Sequence, residues 1–354
     1  MKIVVTGYVG EGAKRMLADL RTDSQIELWD HAFGQKWVRF LYYRLADKTD
    51  RFTGKEGLKR CFEPFLRIAS KAVQGVDAIV FFNSALRMEI SYLAFQKLRH
   101  SYPNVKLILY IVDPIVGELA DDPEYQAAIR EMDLVYSINR RDCERYGFHY
   151  YPLIYSVSDE GDKDKETKHV PETKEGAVVD QKTGAGPGGG HKPVLYYLGT
   201  GSDRTEQLFE IARKCKTEGI LPDFRILDPT RAGKKEEELP EGVTFLSAPI
   251  SYGENVSALK AADCLLEIMH EGFDNPTQRY CEAVAYHKML LTNNPQTTGF
   301  EYFNQNYMSV FKSGEEIDLS FVKNAATGEN VDYGYDGGFS PIRWIERIKE
   351  DLQG

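Results

Sequence analysis

The stretch Leu265-Leu266-Glu267-Ile268-Met269-His270-Glu271-Gly272-Phe273-Asp274-Asn275-Pro276-Thr277-Gln278-Arg279-Tyr280-Cys281-Glu282-Ala283-Val284-Ala285, closed by Met289-Leu290-Leu291-Thr292, reads as strand, polar loop, helix and strand. Residues 265–268 and 289–292 are short apolar runs, the signature of strands buried on both faces. Asn275 suits an N-cap and Pro276 the first helical position, so Thr277 and Gln278 fall in the first turn. A helix linking two such strands is the βαβ unit of a parallel sheet.

Working outward, the same alternation fills the second half. A strand at 194–198 leads to a helix at 205–216 with Leu208, Ile211, Ala212 and Cys215 on one face, then to strands at 223–227 and Val243–Leu246. The first half offers strands at Ile3–Thr6, Ile26–Trp29, Ala78–Phe82, 107–112 and Leu134–Ser137, with a helix expected over 85–100. Near the end, Ser340-Pro341 reads as an N-cap and N1 pair opening a helix to Leu352. Between the halves, residues 158–192 are charged and glycine-rich and too poor in large apolar groups to offset their ordering entropy. The division expected is therefore a Rossmann-like domain over 1–155, a linker or loop over 156–192, a second Rossmann-like domain over 193–338 and a terminal helix over 339–354. A length of 354 residues fits two domains at about 100–200 residues each. Two such domains in tandem imply a cleft, and open α/β sheets bind ligands beyond the carboxyl ends of their strands.

The bulk numbers exclude several classes. Lys and Arg total 44 against 54 Asp and Glu, a net charge of −10, which argues against a general nucleic-acid binder. Five scattered cysteines without a C-x-x-C pair fit a reducing compartment and supply no zinc site. Residues 1–7 read as a first strand rather than a signal peptide, and no apolar run reaches the length of about 18 residues that spans a bilayer. A cytoplasmic location is expected.

Several segments can carry chemistry. Gly199-Thr200-Gly201-Ser202-Asp203-Arg204 follows a strand and opens a helix, so its small residues and the helix N-terminus suit a phosphate. Asp203 with Glu206 resembles a capping box. The alternative is a tight βα turn without a ligand. Arg279 and Glu282 share one helix face. The carboxylate can take both hydroxyls of a ribose and the guanidinium can clamp a diphosphate, or the two can form an ion pair on a solvated face. Residues 7–13, with Gly7, Gly10 and Gly12, approximate a dinucleotide fingerprint, and Asp30 follows the next strand where it can hold a ribose; a glycine-rich turn beside an acceptor, with Gly7 and Tyr8 in it, is the other reading. Asp113 ends an apolar strand as a candidate general base or a helix cap. Asn83 ends another as a polar candidate. Lys36-Trp37-Val38-Arg39-Phe40-Leu41-Tyr42-Tyr43-Arg44-Leu45 interleaves basic and aromatic residues on a helix that can lie on an anionic membrane or pack on its own sheet. His270 and His287 read as local hydrogen-bonding residues.

At Pro276-Thr277-Gln278-Arg279-Tyr280-Cys281-Glu282-Ala283-Val284-Ala285 and Lys288-Met289-Leu290-Leu291-Thr292-Asn293-Asn294, the chain resembles bacterial GT-B glycosyltransferases of lipopolysaccharide and capsular or exopolysaccharide synthesis. Ser251-Tyr252-Gly253-Glu254-Asn255, Leu109-Tyr110-Ile111-Val112-Asp113 and Asp133-Leu134-Val135-Tyr136-Ser137 extend the likeness over both domains but not the linker. The resemblance implies an α/β GT-B fold of two Rossmann-like domains facing across a cleft, with the C-terminal helix crossing back to the N-terminal domain. It implies transfer of a sugar from a nucleoside-diphosphate donor to a glycan or lipid-linked acceptor at the inner face of the membrane, without metal or other cofactor and without nucleic acid. Glu282 becomes the ribose carboxylate. Thr277, Arg279 and the turn with Gly199, Gly201, Ser202 and Arg204 become donor contacts. From the residues' own placement, Asn275 and Tyr252 join the donor candidates, Gly7, Tyr8 and Asn83 are acceptor candidates, and Asp113 is the candidate base. Three positions depart from the pattern. Asn275 and His287 stand where the family has glycine or a small residue, and Asp274 lies eight before Glu282 where retaining relatives have glutamate. The competing readings are an NAD(P)-dependent sugar-nucleotide-modifying enzyme, which lacks a Tyr-x-x-x-Lys pair since Tyr146 and Tyr150 are followed four places on by Tyr150 and Ile154, and a non-catalytic sugar-nucleotide-binding protein.

Overall fold

The structure, a computed structural model, describes residues 1–8, 15–46, 52–157, 191–233, 239–270, 273, 275–326 and 330–353. The linker expected at 156–192 lies outside them over 158–190, as do Gly10, Gly12, Glu271, Gly272 and Asp274. Contacts divide the chain into two units: Met1–Val157 with Asn275–Gln278 and Asp336–Gly354, and Ser158–Asp274 with Arg279–Tyr335.

The first unit is a parallel sheet of β1 (Ile3–Thr6), β2 (Ile26–Trp29), β3 (Ala78–Phe82), β4 (Lys106–Ile111), β5 (Leu134–Ser137) and β6 (His149–Tyr150), ordered β2-β1-β3-β4-β5-β6. β1 and β3 are buried along their whole length, which is why they read as unbroken apolar runs. The terminal helix Pro341–Asp351 belongs to this unit. Ser340 caps it, its hydroxyl accepting from Ile342 N. Trp344 is fully buried against Phe82 and Tyr110, at ring distances of 6.1 and 4.8 Å.

The second unit repeats the plan with β7 (Val194–Thr200), β8 (Leu221–Leu227), β9 (Val243–Leu246), β10 (Cys264–Glu267), β11 (Met289–Thr292) and β12 (Met308–Val310), ordered β12-β11-β10-β7-β8-β9 and all parallel. No helix among the described residues is long and apolar enough to cross a membrane.

Three local expectations are corrected. The helix expected over 85–100 is two, Asn83–Met88 and Tyr92–Ser101. Between them Glu89 is buried, its carboxylate accepting from Ala32 N at 3.0 Å and Tyr43 Oη at 2.7 Å, and Ser91 caps the second helix through Ala94 N. A carboxylate held by a distant backbone amide outweighs helical continuity there. Asn83, directly after β3, opens the first of these helices rather than ending a strand. The two-residue β6 and the three-residue β12 are too short to show as apolar runs.

Candidate functional site

In the second unit the chain leaves β7 to one side for β8 and β9 and returns on the other for β10, so the topological switch lies between β7 and β10. The two strands pair only at Leu195 and Tyr196 before diverging, whereas β7 stays registered with β8 as far as Thr200. Two arginines fill the opening. Arg279 Nη2 donates to Leu198 O at 3.1 Å, and Arg204 Nη2 donates to Thr200 O at 2.7 Å. Residues two apart in a strand point their carbonyls the same way, about 7 Å apart, so both guanidiniums stand along one edge. Arg204 also reaches Ile268 O beyond β10 at 2.9 Å, which ties the two lips together, and its buried Nε has no partner among the described residues.

Gly199 and Thr200 end β7 rather than forming a loop, and Ser202–Arg204 make one 3-10 turn before the helix Thr205–Thr217. A Cβ on Gly199 would come within 2.6 Å of Tyr197 Oη, and one on Gly201 within 2.7 Å of Thr205 Oγ1. A side chain at either position would therefore press on the chain's own side chains. The side chain of Ser202 lies outside the described ones. The N-cap of the helix Thr205–Thr217 is Arg204 rather than Asp203. The capping box expected at Asp203 and Glu206 is therefore out of register with the helix start. The Asp203 carboxylate meets His270 Nδ1 at 2.8 Å, and His270 Nε2 lies 3.4 Å from Thr200 Oγ1.

The helix between β10 and β11 runs Gln278–Ala285, two residues later than Asn275-Pro276 suggested. Asn275 instead accepts from Asn139 Nδ2 at 2.6 Å within the first unit, with which it and Thr277 are grouped. Arg279 and Glu282 do pair through Nη1 and Oε2, but the pair is buried rather than solvated, with side chains 10% and 1% exposed. Asn255 Nδ2 donates to Glu282 Oε1 at 2.9 Å, while its oxygen accepts from Tyr196 Oη at 2.9 Å. The Arg279 guanidinium lies 5.3 Å from the Tyr196 ring centre. Burial first, opposed by Arg279 and Arg225, raises the Tyr196 phenol above its ordinary range, so it stays a neutral donor. Tyr252 opens the helix Tyr252–Ala261, its hydroxyl 3.4 Å from that of Tyr286. Sequence reading missed Tyr196 and gave Asn255 no role. A tyrosine in a buried strand looks like core, and the only signal for Asn255 was its place beside Tyr252. It also missed Glu267, buried at the end of β10 and bonded by Thr292 Oγ1.

In the first unit the switch lies between β1 and β3. Gly7 has φ +83°, and a Cβ there would sit 2.3 Å from that of Ala85, so only glycine fits. Tyr8 is buried and donates to Asp30 Oδ1 at 2.9 Å, which occupies the carboxylate considered for a dinucleotide ribose. Burial, with Asp30 second, pushes the Tyr8 phenol well above its ordinary range. Asn83 is fully buried with Oδ1 3.5 Å from Val112 N, and its Nδ2, like Thr6 Oγ1, has no partner among the described residues. The Asp113 side chain is 53% exposed, with Arg87 Nη1 at 3.8 Å.

Sequence comparison finds no matching family model and no matching curated protein. Comparison of structures does find relatives of fold. A UDP-forming α,α-trehalose-phosphate synthase from Burkholderia xenovorans superposes with a TM-score of 0.57 at 11% identity, over 100% of this chain and 99% of that one. An α-glucosyltransferase solved with UDP and a 13-mer DNA containing a central A:G mismatch gives 0.54 at 10% identity, over 99% of each chain. A UDP-N-acetylglucosamine 2-epimerase from Rickettsia bellii gives 0.52 at 15% identity, over 100% of this chain and 95% of that one. The chain has the GT-B fold: two Rossmann-like units, each with a six-stranded parallel sheet.

Proposed function

We propose that the protein transfers a sugar from a nucleoside-diphosphate donor to a glycan or lipid-linked glycan acceptor in cell-surface polysaccharide synthesis. The observation that carries this reading is the pair of guanidiniums, Arg204 and Arg279, held on consecutive outward carbonyls of β7 at the topological switch, with the buried carboxylate of Glu282 behind one of them. Two fixed cations suit a diphosphate that gains charge as the glycosidic bond breaks, and no metal is required for that role. Donor binding would exchange partners: Arg279 turns to the diphosphate, and Glu282 takes the ribose hydroxyls. Thr277, Tyr252 and the turn from Gly199 through Ser202 complete the donor contacts. Asn275 holds the entry to the helix. The acceptor hydroxyl attacks the anomeric carbon, the nucleoside diphosphate leaves with the bonding pair, and Asp113 takes the proton. Gly7, Tyr8 and Asn83 line the acceptor side. The UDP named for two of the structural relatives supports a uridine donor first. A lipid-linked acceptor would place the protein at the cytoplasmic face of a membrane.

A thermal-shift panel of UDP, GDP, dTDP and NAD, followed by donor hydrolysis, tests the proposal. One nucleoside diphosphate should raise the melting temperature and NAD should not, because a ligand bound only by the native state stabilises it. Glu282→Ala should lose that shift and melt earlier, since it leaves Arg279 buried without its carboxylate. Arg279→Met/Glu282→Leu should recover melting temperature yet still bind no nucleotide. Unchanged nucleotide affinity in Glu282→Ala would sink the assignment. The epimerase relative favours a second reading, chemistry on the sugar while it stays attached to the nucleotide. Release of free nucleoside diphosphate only when a glycan acceptor is added excludes it.

A further inference from the structure

The helix Lys36–Ala46 is anchored to its own unit by Val38 and Tyr42, both buried four residues apart on one face. Its opposite face is also apolar. Trp37, Phe40 and Leu41 follow the i, i+3, i+4 spacing of a single stripe and are 60%, 65% and 41% exposed. Phe65 extends the stripe from a neighbouring turn, 42% exposed, with its ring edge-on to Trp37 at 6.0 Å. A helix apolar on both sides is normally covered on both sides, and water does not reward displaying a tryptophan and two phenylalanines together.

Charge identifies the cover. The protein as a whole carries −10, yet this helix contains Lys36, Arg39 and Arg44 and no acidic residue. Among the described residues none of the three is in an ion pair, and the Arg44 guanidinium stands 6.0 Å from the Phe40 ring centre. An apolar stripe rimmed by cations outside any ion pair among the described residues, on an otherwise acidic molecule, complements a surface that is negatively charged outside and hydrocarbon within. Aromatic rings on such a stripe sit at the headgroup level.

We infer that the face formed by Trp37, Phe40, Leu41 and Phe65, rimmed by Lys36, Arg39 and Arg44, docks on an anionic lipid bilayer. This goes beyond the proposed transfer reaction and does not depend on it. The chain has three tryptophans, and the other two, Trp29 and Trp344, are 1% and 0% exposed. A blue shift of emission on adding vesicles therefore reports Trp37.

The full-length protein should co-sediment with vesicles of phosphatidylglycerol in phosphatidylcholine, blue-shift its emission and release in high salt, while phosphatidylcholine vesicles alone bind it weakly. Each of Lys36→Gln and Arg44→Gln should weaken binding about fivefold, and Trp37→Ser/Phe40→Ser at least about tenfold. All three variants should keep the wild-type melting temperature and nucleotide shift in solution, so loss of vesicle binding is separate from any failure of the donor site. Equal affinity for neutral and anionic vesicles, no binding to either, or binding unchanged in Trp37→Ser/Phe40→Ser would overturn the inference. So would a wild-type dimer that Trp37→Ser/Phe40→Ser abolishes while neither protein binds vesicles, because the cover would then be a second copy of the chain.

Discussion

Arg279 and Glu282 stand three apart on one helix face, and spacing alone left open whether they bind a ligand or each other in water. Tertiary neighbours changed the terms. Asn255 and Tyr196 close around the carboxylate, and the strand carbonyl of Leu198 takes the far side of the guanidinium. A charge pair so little exposed is held in one geometry, as the proposed diphosphate contact would require. His287 is the second instructive residue. It is the only non-glycine among the described residues with positive φ, 56°, and it follows the helix Gln278–Ala285 where the resembling family places a small residue or glycine. The left-handed conformation costs an ordinary residue about 1–2 kcal/mol, offset here in part by the contact of Nδ1 with Val331 O at 3.1 Å. His287→Gly should therefore leave stability unchanged or raise it by up to about 1 kcal/mol in urea unfolding. His287→Val, β-branched and without the contact, should lower it.

At the scale of elements, the terminal helix Pro341–Asp351 decides whether the first sheet has a complete core. It buries Trp344, Ile345 and Ile348, and Asp351 accepts from Tyr136 Oη of β5 at 2.6 Å. Trp344→Ala should destabilise the first unit by about 3–5 kcal/mol, read as a lowered urea midpoint. Trp344→Phe should cost much less, because the indole Nε1 is buried without a partner among the described residues. The cap and proline that start this helix are local signals, so its existence was legible in the sequence. That it packs on the first unit, some two hundred residues upstream, was expected only from the family resemblance. The break at Glu89 was not legible at all. Periodicity through Leu86, Ile90, Leu93 and Leu98 continues across it, and what interrupts the helix is a backbone amide at Ala32.

Over the whole molecule, buried phenols set the alkaline limit. Tyr8, Tyr43 and Tyr136 donate to Asp30, Glu89 and Asp351, and burial first, then these carboxylates, pushes all three above the ordinary 10.0. A group whose folded pKa is raised contributes stability in full below its unfolded value and loses it as pH climbs through the folded one. The urea midpoint should accordingly hold up to about pH 10.0 and then fall, in step with tyrosinate absorbance. In a Tyr8→Phe/Tyr43→Phe/Tyr136→Phe variant the fall should be shallower. Sequence by itself determined the order of the ten longer strands and marked the start of the terminal helix, because apolar runs, caps and prolines act within a few residues. It also marked the helix that carries Arg279 and Glu282. Only tertiary structure decided that β7 and β10 part after Tyr196, that Arg204 and Arg279 take the carbonyls so exposed, and that the glycines between them serve the packing of Tyr197, Thr205 and Ile226. Those outcomes depend on groups brought together from distant parts of the chain, and no local pattern encodes where a strand loses its neighbour.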